Sequence, residues 1–123
     1  MTDIELEVYL LSKIGAKKEF PFGEDVAVYK VMQKMFALVG DKNGFININL
    51  KCLPEDAVGY REIYNSVSPG YHMNKKHWNT IVLDGEMRDE ILKEMIDESY
   101  ELVVSKLTKK EKEHIEKFKI ISI

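Results

Sequence analysis

The residues best equipped for chemistry lie together, in one short stretch. Tyr71-His72-Met73-Asn74-Lys75-Lys76-His77-Trp78-Asn79-Thr80 holds the only tryptophan and two of the three histidines. No Asp or Glu occurs between Glu62 and Asp84. Lysines in such a turn can meet phosphate, and Tyr, His or Trp can stack on bases. The same residues also suit a structural role. Tyr71 and Trp78 would then be core or sheet-face residues, and the two lysines a solvated tip that protects a sheet edge.

Other chemistries find less support. His72 and His77 are five apart with Asp84 further on, which is not the i, i+4 spacing of a helical metal pair. No CxxC or HExxH occurs. Cys52 follows Lys51, which could lower its pKa and make it reactive. A free cysteine more commonly behaves as a small buried hydrophobe. Ser66 and Ser68 lack a G-x-S-x-G frame, and the scattered glycines form no phosphate loop. His114 sits in a charged segment and is expected to be exposed. The acids Asp3, Glu5 and Glu7 crowd the start of a helix, where the helix dipole alone explains them. No catalytic group, metal site or cofactor is expected, and the chain does not read as an enzyme.

Size and charge bound the remaining choices. The chain has 123 residues, 18 Lys+Arg, 21 Asp+Glu and a formal net charge of -3. That length suits one domain, and 45% hydrophobic residues can fill its core. The pI near 5.7 argues against a basic nucleic-acid coat protein. The lone Cys52 excludes an internal disulfide and suits a reducing compartment. No apolar run approaches the ~20 residues of a membrane span, and the acidic start does not resemble a signal peptide. A cytoplasmic location is expected, with no membrane partner.

The elements that must hold the 70–80 stretch follow from periodicity. Thr2 and Glu5 form a capping-box pattern ahead of a helix over 3–14. Its inward stripe is expected to be Ile4, Val8, Leu11 and Ile14, broadened by Leu6 and Leu10. Strands are expected over 26–31, 34–39 and 45–51. In the second, Phe36 and Leu38 share one face, with Met35, Ala37 and Val39 on the other. In the third, Ile46, Ile48 and Leu50 alternate with Asn47, Asn49 and Lys51. Asn43-Gly44 marks the turn between them. A helix over 54–64, a strand over 77–83, a long helix over 87–106 and a charged helix over 109–118 complete the chain. Strands in hairpins, not alternating βαβ units, predict an α+β two-layer sandwich. It would have an antiparallel sheet, with helices packed on one face and the other face wet.

Five segments in this order and spacing resemble the MmcQ/YjbR family of small bacterial proteins. They are Pro21-Phe22-Gly23, Lys34-Met35-Phe36-Ala37, Leu50-Lys51-Cys52, Pro69 through Asn79, and Ser99-Tyr100-Glu101-Leu102-Val103. The resemblance covers residues 1–107, with 108–123 as a C-terminal helical extension. It implies a double-wing fold similar to frataxin/CyaY, and the family's label of DNA-binding protein. The matching candidate nucleic-acid residues are Lys34, Lys51, Tyr71, His72, Asn74, Lys75, Lys76, His77 and Trp78, with Phe22 and Gly23 in an adjoining loop.

Both lines lead to weak, largely non-specific DNA binding through a lysine/aromatic face made by the sheet and hairpin. About three lysines would release only ~3 counterions. The alternatives are a protein-interaction domain and a frataxin-like metal binder using Asp3, Glu5 and Glu7. DNA or another protein is the expected partner, and the chain a monomer or weak dimer.

Overall fold

Thr2 opens the first helix, α1 (Asp3–Leu11). Its side-chain oxygen accepts from the Glu5 N–H at 3.1 Å, and the Glu5 carboxylate accepts from the Thr2 N–H at 3.4 Å. This reciprocal box satisfies two N–H groups that the helix itself leaves without partners. The computed structural model describes residues 1–70 and 73–122. After α1 come β1 (Ala16–Glu19), β2 (Ala27–Val31), β3 (Lys34–Lys42), β4 (Phe45–Lys51), α2 (Pro54–Ile63), β5 (Val67–Pro69), β6 (Trp78–Val82), α3 (Asp89–Ser105) and α4 (Lys109–Ser122). Among the described residues the strands form one sheet in the order β1-β2-β3-β4-β6-β5. Every neighbouring pair is antiparallel. The fold is α+β, as the sequence predicts.

Two tight turns set the register of β2, β3 and β4. Asn43 and Gly44 have φ of 57° and 84°, the left-handed pair that a two-residue hairpin prefers. Met32 and Gln33 make a matching turn with φ of 48° and 72°. Neither residue type advertises a turn, so this one is invisible in the sequence.

The expected inward stripe of α1 is overturned. Leu6 and Leu10 are buried, whereas Ile4 is 74% and Val8 64% exposed and Leu11 is also open. The helix ends at Leu11 rather than 14, and Gly15 at φ +78° turns the chain into β1. A helix lying beside an edge strand needs only one narrow line of side chains for contact.

Strand β3 departs from simple alternation. Tyr29 pairs with Ala37 but Lys30 pairs with Met35, so Phe36 is an extra residue, a β-bulge. Phe36 and Ala37 therefore both enter the core beneath the helices, while Leu38 and Met35 face the other way. The expectation that Phe36 and Leu38 share a face fails for this reason. Ser99 of α3 repairs the gap in the ladder. Its hydroxyl donates to the Phe36 carbonyl at 2.5 Å and accepts from the Lys51 N–H at 2.9 Å.

The helices cover one face. Leu92, Met95, Ile96, Tyr100 and Val103 of α3 are buried over the sheet, where Tyr100 meets Phe36 edge-on at 5.4 Å. Leu107 and Ile115 join the same core, so α4 docks on it rather than trailing from it. The opposite face is not fully wet. Val28, Leu38 and Trp78 form a second small apolar cluster there, with Met35 and Met73 at its margin.

Candidate nucleic-acid interface

Strand β4 carries the helix-free face from end to end. Asn47, Asn49 and Lys51 alternate with the buried Ile48 and Leu50. Lys51 pairs with Trp78 across the β4–β6 ladder. Directly paired residues share a face, so Lys51 lies on the open side beside the Trp78 cluster. Trp78 itself is 8% exposed. It therefore supports the face from within, and its ring is not a free stacking platform.

Residues 74–78 form a tight turn leading into β6, and Asn74 builds it. The Asn74 carbonyl accepts from the N–H groups of His77 at 3.0 Å and Trp78 at 2.9 Å. Its side-chain oxygen accepts from the Lys76 N–H at 3.0 Å. The Arg61 guanidinium of α2 donates to the Lys75 carbonyl at 3.1 Å and to the Ala57 carbonyl at 3.1 Å, tying the turn to its helix. The His77 carbonyl accepts from the Cys52 N–H at 2.7 Å, which fixes the other flank to the end of β4. Lys75 and Lys76 stand exposed on this braced turn, and His77 is half-buried.

Gly70 is where the face allows no side chain. A Cβ there would lie 3.1 Å from the Trp78 Cβ and 3.3 Å from the Asn49 Oδ1. That oxygen already accepts from the Thr80 hydroxyl at 2.6 Å. The closeness of this position to Asn49 and Trp78 accounts for the glycine that follows β5.

The structure brings some of the sequence candidates together and separates others. The Lys51–Trp78 register and the Cys52–His77 backbone bond put the turn of Lys75, Lys76 and His77 at the same end of β4 as Lys51. Lys34 does not join them. It begins β3, and its Nζ lies 3.4 Å from the Lys106 carbonyl, near the link between α3 and α4. Tyr71 and His72 lie outside the described residues. Phe22 is 65% exposed, in the loop between β1 and β2. Sequence reasoning missed Arg61, whose position in α2 gives no sign that it braces a turn 14 residues away.

The rest of the chemistry reads differently in three dimensions. The expected effect of Lys51 on Cys52 is reversed. The thiol is 1% exposed, and burial, with Glu98 and Asp56 behind it, pushes its pKa up to about 12. Glu98 accepts from the Leu53 N–H at 3.5 Å, at the start of α2. Burial, followed by its contact with Asp56, raises its carboxyl above the usual range. Glu5 is committed to the capping box, and Glu7 pairs with Lys18 at 2.7 Å. His77 and Asp84 flank opposite ends of β6. Among the described residues no three His, Cys, Asp or Glu side chains gather as a metal site would require.

Known proteins share this architecture. A family model described as YjbR matches residues 11–102. The uncharacterized protein YbdF of Escherichia coli O157:H7 is 38% identical over 96 residues, covering 78% of this chain and 79% of its own. The uncharacterized protein YjbR of Escherichia coli K12 is 34% identical over 107 residues, covering 87% and 91%. A crystal structure of Deinococcus radiodurans protein DR2400, with a DUF419 domain, superposes with a TM-score of 0.84 at 35% identity, covering 93% of this chain and 87% of its own. The bulged sheet, its helical cover and these matches together assign the chain to the YjbR family.

Proposed function

We propose that the chain is a weak, largely non-specific DNA-binding module that works from the hairpin end of its open sheet face. The observation that carries this reading is the braced, acid-free turn with Lys75 and Lys76 beside Lys51. Arg61 and Asn74 hold its backbone, so the two lysines are presented from a fixed base. Pre-ordered cations lose less freedom on meeting phosphate than cations on a loose loop. The amides of β4 and the half-buried His77 add polar groups without sequence-reading geometry. The net charge of -3 limits the affinity. Fluorescence polarisation of a labelled duplex at low salt tests the proposal. Binding in the tens of micromolar is expected, and it should vanish in Lys75→Glu/Lys76→Glu. No binding, or binding untouched by that double change, would remove the reading.

A second reading, a protein-interaction domain, rests on the exposed Ile4, Val8 and Leu11 along α1. Apolar side chains three or four apart on an open helix suit a partner's groove. Capture of a nuclease-resistant partner that Val8→Glu abolishes would favour it.

A further inference from the structure

The open sheet face continues from the hairpin end as a groove of about 890 Å³ along β4. Asn49, Ser68, Met73 and Thr80 line it at that end, and Phe22 and Phe45 at the other. Leu38, Gly40 and Asn47 form its bed. One surface therefore joins the lysine turn to a stretch of apolar and amide side chains.

That stretch is not selective by charge. Lys42 pairs with Phe45 and lies on the open face, whereas Asp41 pairs with Ile46 and belongs to the helix-covered one. Lys42 and Asp25 then offset each other at the groove. What the bed offers is apolar surface, polar groups and two rings, Phe22 at 65% and Phe45 at 49% exposed. Exposed rings stack on base faces of any sequence. Asn47, Asn49 and Ser68 supply amides and a hydroxyl that can bond to the edges of unpaired bases.

A duplex cannot use this bed. β4 lies inside a six-stranded sheet, which at ~4.8 Å between strands is about 24 Å wide. The major groove of B-DNA is ~12 Å wide and admits a helix or two strands. A duplex would meet the lysine end with its bases stacked on one another, out of reach of the rings. A single strand exposes its base faces and can lie along β4, where Phe45 to Lys51 spans ~20 Å at ~3.3 Å per residue. Open sheet faces with aromatic side chains hold single strands in this way.

We infer that the groove binds single-stranded DNA in preference to duplex, with the backbone on Lys51, Lys75 and Lys76 and the bases in the bed against Phe22 and Phe45. The inference rests on the DNA-binding reading of the lysine turn and names its substrate. Fluorescence polarisation at one low salt concentration tests it with three labelled ligands of equal length: oligothymidylate, a duplex and an abasic single strand. The parent should bind oligothymidylate about tenfold more tightly than the duplex, and the abasic strand no more tightly than the duplex. Phe22→Ala/Phe45→Ala should bring oligothymidylate down to the affinity of the duplex. Gly40→Val should do the same by filling the bed. A Cβ there would meet the Asn47 Oδ1 at 3.6 Å and the Asp25 carbonyl at 3.7 Å, ordinary contact distances that the fold tolerates. Equal affinity for oligothymidylate and duplex, an abasic strand bound as tightly as oligothymidylate, or a preference kept in either variant would each overturn the inference and leave the lysine reading standing. No binding of any of the three ligands by the parent would remove the lysine reading, and this inference with it.

Discussion

Replacing Ser99 by alanine should cost more than any surface change, because one hydroxyl serves two strands. Ser99 is fully buried and bridges the Phe36 carbonyl to the Lys51 N–H where the β3 bulge breaks the ladder. Alanine removes the bridge and leaves both backbone groups without a partner. A buried polar group without a partner costs about 1–3 kcal/mol. Two such groups, partly relieved if a water enters, give a loss of about 2–4 kcal/mol. A domain of this size has ~5–15 kcal/mol in all. The midpoint of thermal unfolding should then fall by roughly 10 °C, at ~3–5 °C per kcal/mol for this length. Urea unfolding followed by circular dichroism measures the loss directly. Ser105→Ala is the control, since Ser105 is exposed and bonds only to Leu102 within its own helix. It should change stability by no more than ~0.5 kcal/mol. A loss below about 1 kcal/mol in Ser99→Ala, or equal losses in the two variants, would refute the bridging role. The effect also reaches the candidate interface, because the same bond anchors Lys51.

Other outcomes follow from the same contacts. Gly70→Ala should destabilise by about 1–3 kcal/mol, because its Cβ would press on Trp78 and Asn49, where neither can easily give. Chemical unfolding of this variant gives the figure. Cys52 should resist a thiol reagent at pH 8 in the folded protein and react fully in urea, since burial pushes its pKa up to about 12. Glu98 binds its proton more tightly folded than unfolded, so its contribution to stability is present below the ordinary Glu range and is lost as pH rises through the raised value. Glu98→Gln should therefore be slightly more stable than the parent at pH 7, by about 0.5 kcal/mol after solvent screening, and equal to it at pH 3. Thermal melts at the two pH values check both sign and window.

The parts of the fold legible in the sequence were those where period and turn chemistry agree. Phe45 through Lys51 alternates cleanly because β4 is central, with helices on one side only. Thr2 and Glu5 announce α1, and Asn43-Gly44 announces its hairpin. The illegible parts lack such constraints. β1 reads Ala-Lys-Lys-Glu and β5 Val-Ser-Pro, edge strands that need not show a buried face. The Phe36 carbonyl at the bulge is satisfied by a serine 63 residues away, which no local pattern contains. The stripe of α1 misleads because leucines and branched residues surround that helix on several sides. At the candidate interface, Lys51 and the lysine turn were placed by register alone. The displacement of Lys34 and the burial of Trp78 depend on tertiary packing.

The central claim is that DNA meets Lys51, Lys75 and Lys76 together and does not depend on Lys34. The salt dependence of duplex affinity tests it most directly. For three phosphate contacts, log affinity against log salt should have a slope of about -2.7. The account predicts that slope for the parent and for Lys34→Glu, and no measurable binding for Lys51→Glu/Lys75→Glu/Lys76→Glu. A flat salt response, or binding lost in Lys34→Glu and kept in the triple variant, would contradict it.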